Sequence, residues 1–309
     1  MPLRTAPDDR RWRPAPLIKA SVLLHAGAMA ATAFSPEIWP WTGGAVVADQ
    51  ALLTLAGLWP RCGLLGPNLK RLPPEAAARN EIAITIDDGP APAVTPAVLD
   101  LLDRYGAKAT FFCVGERATH HPELCREIVA RGHAVENHSL RHRRDFALLG
   151  LRGFSREIEA AQETLAAITG IRPRFFRAPA GLRNPLLDPV LSRLDLRLVS
   201  WTRRGFDTRN GDPGSVSARL LQGLNGGDIL LLHDGNAART TGGDAVILIV
   251  LPRLLDAIAA AGLRAVTLRS AILFLGSAGP GPGSHEHYAQ DRADGSLGFV
   301  PRSGAVSGL

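Results

Sequence analysis

Ile82-Ala83-Ile84-Thr85-Ile86-Asp87-Asp88-Gly89-Pro90 decides the fold. A β-branched apolar run stops on two adjacent carboxylates and a Gly-Pro turn, the pattern of a buried strand that ends at a polar site. Further short apolar runs follow at 110–114, 134–137, 175–177, 196–201, 229–233 and 265–267. Helical periodicity fills the gaps at 95–105, 122–131, 155–169, 185–194, 213–224 and 245–261. Ser155 is the expected cap of the third of these helices. Seven strands alternating with helices predict parallel pairing, in an α/β barrel or a doubly wound sheet.

The positions of the polar residues decide between the two. Asp87, His138, Arg177 and His233 each end or follow a different predicted strand. In a (β/α) barrel the carboxyl ends of all strands converge on one face, whereas an open sheet spreads its first and sixth strands apart. The chain therefore reads as a closed or nearly closed barrel of seven units.

These residue types suit metal-assisted hydrolysis. His138-x-x-x-His142 can aim two imidazoles at one point from a helical or turn segment, and a catalytic zinc has three protein ligands plus water. Asp87-Asp88 offers a third ligand. Neighbouring side chains of extended backbone point opposite ways, so one carboxylate is expected on the metal and one off it. Arg177 lies beside Phe175 and Phe176 and needs an acidic partner. His233 closes the apolar strand Ile229-Leu230-Leu231-Leu232. Each motif alone has an ordinary structural reading: a surface turn, a chance HxxxH, a salt bridge, a core histidine. Their convergence on one barrel face joins them.

The set Thr85–Pro90, His138–His142, Arg177-Ala178-Pro179-Ala180-Gly181, Trp201 with Asp207, and Leu230–His233 resembles the polysaccharide deacetylase family, carbohydrate esterase family 4, or NodB homology domain. The resemblance covers roughly residues 79–270 and implies a distorted seven-stranded (β/α) barrel. It implies that Asp87 is the general base and that Asp88, His138 and His142 hold one divalent metal ion, zinc first, with cobalt, iron or manganese also suited to two nitrogens and one oxygen. By the same resemblance Arg177 orients Asp87 and the Ala180 N–H helps bind the oxyanion. Asp207 tunes His233, the general acid, and Leu231 with Trp201 lines the substrate pocket. The implied reaction removes N-acetyl groups from amino sugars of an oligo- or polysaccharide or envelope glycan. A lipid-linked sugar or another non-peptide amide is the alternative substrate, and a glycan-binding protein without catalysis is a third reading. The chain departs from the pattern at Ala180, where the family often has a large aromatic. In the fourth motif Arg204 stands for the first Asp of Asp-x-x-Asp-Trp and Thr208 for its Trp.

Ahead of this domain, residues 1–80 hold nine Lys/Arg and five Asp/Glu. Two apolar stretches run over 15–34 and 43–59. The first is long enough to span a bilayer, and the second is barely so and carries Asp49. Trp12, Trp39, Trp41 and Trp59, four of the five tryptophans, bracket them as interfacial residues do. Basic residues flank both outer ends, including Arg10, Arg11, Arg13, Arg61, Lys70 and Arg71. The expectation is an N-terminal hydrophobic helical hairpin over 1–78, at the cytoplasmic membrane with the catalytic domain (79–276) on the cytoplasmic side. The alternative is export, since Ala31-Thr32-Ala33 resembles a cleavage site. Residues 277–309 are rich in Gly, Pro and Ser and read as a disordered tail. The expected partners are an N-acetylated glycan and, through the hairpin, a membrane. No basic stripe interleaved with aromatics points to nucleic acid. Cys62, Cys113 and Cys125 form no CxxC and no disulfide framework.

Overall fold

The computed structural model describes residues 12–273. The predicted tail at 277–309 lies outside them, as do Arg10 and Arg11. The strands are β1 (Glu81–Gly89), β2 (Ala109–Cys113), β3 (Ala134–Asn137), β4 (Phe175–Phe176), β5 (Arg197–Leu198), β6 (Arg203–Arg204), β7 (Ile229–His233) and β8 (Arg264–Ala265). The helices are α1 (Pro16–Phe34), α2 (Trp39–Leu58), α3 (Pro74–Ala78), α4 (Thr95–Arg104), α5 (Gly115–His120), α6 (Pro122–Ala130), α7 (Leu151–Thr169), α8 (Leu187–Arg193), α9 (Pro213–Leu221), α10 (Val246–Ala260) and α11 (Leu268–Leu273).

Seven parallel strands form one curled sheet in the order β5-β4-β3-β2-β1-β7-β6, and β8 pairs with the start of β1. The sheet is the distorted barrel that the resemblance implied, open along one seam. Its two edges, β5 and β6, are consecutive in the chain. The predicted strand at 196–201 is where sequence and structure part. Val199 still bonds back to Phe176, but Ser200 bonds to Leu69 and Thr202 to Ile229 of β7. The run thus pairs with β4 only through Arg197–Leu198, bends at Thr202, and pairs with β7 through Arg203–Arg204, beyond its predicted end. The linker from the N-terminal helices covers the seam: Leu69 N–H donates to the Leu198 carbonyl at 2.9 Å, and Leu72 N–H to that of Gly227 at 2.8 Å.

The alternation in β1 follows from this geometry. Ile82, Ile84 and Ile86 face the helices and are fully buried among Val98, Leu102, Val250 and Leu254. Ala83, Thr85 and Asp87 face inward, where Phe112, Phe175, Val199 and Ile229 leave room for small side chains. Both faces are covered, so the strand reads as a continuous apolar run. The helix ends carry ordinary signals. Asp212 caps α9 by accepting from the N–H groups of Gly214 and Ser215, with Pro213 in the first turn, and Gly170 ends α7 at φ 72°. The expected cap Ser155 instead lies inside α7, which starts at Leu151. Its hydroxyl accepts from Arg193, and Phe154 packs on Phe146 with centroids 5.0 Å apart. Packing against Phe146 extends the helix past the local capping signal.

α1 and α2 form an antiparallel helical hairpin. Polar pairs join them at three levels: Ser21 Oγ to Asp49 Oδ2 at 2.6 Å, His25 Nε2 with Gln50 Nε2 at 3.2 Å, and Thr32 with Thr42 at 2.7 Å. Ser21 gives Asp49 the partner that a carboxylate in an apolar hairpin requires. Among the described residues only α1 is long and apolar enough to cross a membrane. The outer surface is apolar, with Leu23, Met29, Phe34 and Trp41 exposed. The base of the hairpin is buried: Leu53, Ala56, Cys62 and Leu65 pack with Leu17 and Ile18.

Candidate active site

β1 delivers both carboxylates to the carboxyl end of the barrel. Asp87 is in register with His233 on β7 and Phe112 on β2. Between Asp87 and Gly89 the β1–β2 ladder bulges, and Asp88 takes φ 70°. The expectation that the two side chains diverge fails here, because the bulge abolishes the strand's two-residue alternation. Asp87 Oδ2 and Asp88 Oδ1 lie 3.8 and 3.2 Å from the same atom, His138 Nε2. The turn tolerates only glycine at Gly89, where a Cβ would sit 2.6 Å from Asp234 Oδ2. Arg117 donates to the Asp88 carbonyl, and Asn236 Nδ2 donates to Asp88 Oδ2 at 3.0 Å.

His138 follows β3 directly, and the segment to His142 is a turn. Ser139 and His142 both have positive φ, 65° and 51°. Asn137 accepts from the Ser139 N–H, the Ser139 hydroxyl accepts from the His142 N–H, and Glu157 of α7 accepts from the Arg141 N–H. The imidazoles are tilted together with centroids 4.9 Å apart.

Asp88, His138 and His142 form the metal-compatible cluster, with their ligand atoms all within 4.8 Å of one another. Two features fit a divalent cation. Asp88 Oδ1 is buried without a hydrogen-bond partner, 3.2 Å from the Nε2 atoms of both histidines. His138 Nδ1 lies 2.8 Å from the Arg177 carbonyl, which can only accept. Nδ1 therefore carries the proton, and the Nε2 lone pair is left facing a carboxylate oxygen, as in metal-ligating histidines oriented by an outer carbonyl. Burial opposes ionisation of Asp88, but the nearness of the His138, His233 and His142 imidazoles holds its carboxyl well below the usual range. Burial and the charge of His138 push His142 down.

Arg177, 1% exposed, reaches across the barrel interior. Its Nη1 donates to Asp87 Oδ1 at 2.6 Å and to Thr85 Oγ1 at 2.8 Å, and its Nη2 to the Ser200 carbonyl at 2.9 Å. The guanidinium lies 4.2 Å over the Phe112 ring. Burial pulls its pKa down against the opposing pull of Asp87. On the other side of Asp87, His233 Nδ1 and N–H meet the two oxygens of buried Asp207 at 2.9 and 2.7 Å. Burial disfavours the charged imidazole, yet the hydrogen bond and charge of Asp207 raise the His233 pKa overall.

The expected pocket residues surround this centre. Leu231 lies two residues before His233 on the same face of β7, 1% exposed. Trp201 is buried, with the Arg177 and Arg204 guanidinium carbons 5.9 and 5.3 Å from its ring. Ala180 is exposed at φ 55° in a short 3-10 turn on the rim. That turn meets the base of the hairpin: Arg183 N–H donates to the Gly57 carbonyl at 3.1 Å, and a Cβ at Gly181 would sit 2.7 Å from Pro60 and Trp201.

Asp234 was not anticipated. It is fully buried behind the Asp-Asp-Gly-Pro turn, accepts from Thr95 Oγ1 at 2.5 Å, and is pushed up to about 6 by burial. The polar run His233-Asp234-Gly235-Asn236 after an apolar strand was its only signal.

A model of the polysaccharide deacetylase family matches residues 75–199. The chitooligosaccharide deacetylase of Sinorhizobium fredii is 33% identical over 168 residues, 54% of this chain and 78% of that protein. The peptidoglycan-N-acetylglucosamine deacetylase of Bacillus cereus is 32% identical over 171 residues, 52% of this chain and 75% of that protein. Among solved structures, a family 4 carbohydrate esterase from Streptomyces lividans in complex with acetate superposes with a TM-score of 0.55 at 30% identity, over 60% of this chain and 91% of that one. With the barrel and strand-end motifs described above, these likenesses place the chain: it belongs to the polysaccharide deacetylase family and is a hydrolase of amide carbon–nitrogen bonds of that type.

Proposed function

We propose that the protein removes N-acetyl groups from amino sugars of an envelope glycan. The observation that carries this reading is the arrangement around Asp87. It is a carboxylate clamped by Arg177, adjacent to a three-ligand metal cluster and in register with a histidine backed by its own aspartate. The likeness to enzymes named for chitooligosaccharide and peptidoglycan N-acetylglucosamine supports the substrate class.

Asp88, His138 and His142 would hold the ion, zinc by preference. When bound, such an ion lowers the pKa of a water and polarises an acyl oxygen. Asp87 accepts the attacking water's proton, and Arg177 fixes the carboxylate that does so. The Ala180 N–H, exposed on the rim, stabilises developing negative charge on the acetyl oxygen. His233, whose pKa Asp207 raises, gives a proton to the departing amine. Leu231 and Trp201 shape the space for the acetyl group and the sugar. Acetate and a free amino sugar are the products.

A membrane-associated substrate is favoured by one observation. The base of the hairpin docks on the same 179–183 turn that carries Ala180, so the apolar helices leave the domain beside the catalytic rim. We assign the hairpin as the membrane-associated segment.

The test is the variant Asp87→Asn. It is expected to lose acetate release while keeping its bound metal, and His142→Ala to lose both, measured by acetate assay and elemental analysis. Undiminished turnover by Asp87→Asn defeats the assignment.

A further inference from the structure

The fourth motif places at the site a cation with no contacting counter-ion among the described residues. β6 pairs with β7 so that Arg204 stands opposite Leu231, and Leu231 stands opposite Thr85. Cross-strand partners share a face, so Arg204 points to the barrel interior with Thr85, Asp87 and His233. Its neighbour Arg203 points the other way and spends its donors on structure: it binds Asp228 at 2.6 Å and the carbonyls of Gln222 and Gly223.

Arg204 does none of this. Its guanidinium carbon lies 5.3 Å from the Trp201 ring and 5.0 Å from the Phe206 ring. Its Nε is buried with no hydrogen-bond partner, and Arg204 makes no ion pair among the described residues. Aromatic rings satisfy the faces of a guanidinium, but its N–H donors lie in the plane of the fork and seek oxygen. Phe206, half exposed at φ 60°, also has the Arg219 guanidinium 5.5 Å from its ring. Burial lowers the Arg204 pKa, against the pull of Asp207 and Asp87. A positioned, half-buried cation beside a reaction centre, with its Nε–H unpartnered, is suited to receive an anion.

We propose that Arg204 binds an anionic substituent, a phosphate or carboxylate, of the N-acetylated sugar and so sets which substrate this enzyme accepts. The inference rests on the deacetylase reading for the identity of the sugar.

The experiment uses the full chain in detergent with its metal, comparing wild type, Arg204→Gln and Arg204→Lys. Calorimetry would measure binding of N-acetylglucosamine, N-acetylglucosamine 1-phosphate and N-acetylmuramic acid. Wild type is expected to bind at least one anionic sugar about tenfold or more tighter than the neutral one. Arg204→Gln should lose that preference with neutral binding unchanged, and Arg204→Lys should keep part of it. Preference for the phosphate or for the carboxylate identifies the source of the charge. No preference in wild type overturns the proposal. So does a preference retained in Arg204→Gln, which would assign it to the metal. Acetate release separates the two readings. In Arg204→Gln, KM for the anionic sugar should rise with kcat kept, and an equal fall in kcat on every sugar overturns the specificity role. If wild type releases no acetate from any sugar yet keeps its binding preference, the deacetylase reading fails and the anion site stands.

Discussion

Replacing Arg177 by Met should be among the most damaging changes in the molecule. The side chain is 1% exposed and donates to Asp87, Thr85 and the Ser200 carbonyl. Met fills much of the volume but strands the Asp87 carboxylate, which is itself buried. Removing one partner of a buried ion pair costs about 3–5 kcal/mol. For a domain of this size that corresponds to a fall in Tm of roughly 6–20 °C, at about 2–4 °C per kcal/mol. Asp87→Asn is milder, because Arg177 keeps its carbonyl and hydroxyl acceptors, and costs about 1.5–3 kcal/mol. The double variant buries neither charge unpaired, so it should be more stable than the sum of the singles by about 1–3 kcal/mol. The assay is thermal unfolding of the metal-loaded full chain in detergent, followed by circular dichroism. If the two single costs add to within about 0.5 kcal/mol, the charges are uncoupled and the clamp argument is wrong.

Two further outcomes follow from the same geometry. Asp207 raises the His233 pKa, and an acid must be protonated to donate, so kcat/KM should fall as pH rises through that pKa. Asp207→Asn removes the charge and should move this alkaline limb to lower pH, and a stationary limb rejects His233 as the acid. Gly57→Leu should push α2 away from the Arg183 carbonyl and disturb the Ala180 turn. Acetate release is then expected to drop about tenfold or more at unchanged metal content, and full activity would mean the hairpin does not hold that turn.

The sequence made the barrel legible because β1 alternates large and small residues under helices and ends in charge. The same rule placed His138, Arg177 and His233 at other strand ends. What it could not reveal depended on partners distant in the chain. The run 196–201 leaves β4 after Val199, and the chain pairs with β7 only from Arg203, across the seam, which local sequence does not reveal. Helix α5 was invisible because it begins with Gly115, where a Cβ would meet Leu140 and Ala161, and its six residues carry no apolar stripe. The aspartate pair was judged by the geometry of an ideal strand, and a bulge at Asp88 overrode it. Asp49 finds its partner in Ser21 of the first helix, a contact between the two apolar stretches that local sequence does not show.

Four aspartates crowd the carboxyl end of this barrel, and their separate environments explain how one small volume carries distinct tasks. Like charges placed together push one another toward neutrality unless each finds its own compensation. Asp87 has the Arg177 fork, which leaves its second oxygen toward His138 and the reaction centre. Asp88 has two imidazole nitrogens and one uncommitted oxygen, the donor set of a metal site. Asp207 has His233, to which it presents both oxygens, so its charge is spent on keeping a proton. Asp234 has only Thr95 and the Gly235 N–H; burial takes it up to about 6, close to neutral in the acidic range, and it packs against Gly89 as a buttress for the turn. Environments that separate the behaviour of like residues are how acid and base roles are divided at one pH. Arg204 stands apart: it makes no ion pair among the described residues, and its buried Nε–H has no acceptor. Its contacts are to aromatic rings, and under our proposal the group that meets its Nε–H is an anion carried by the substrate.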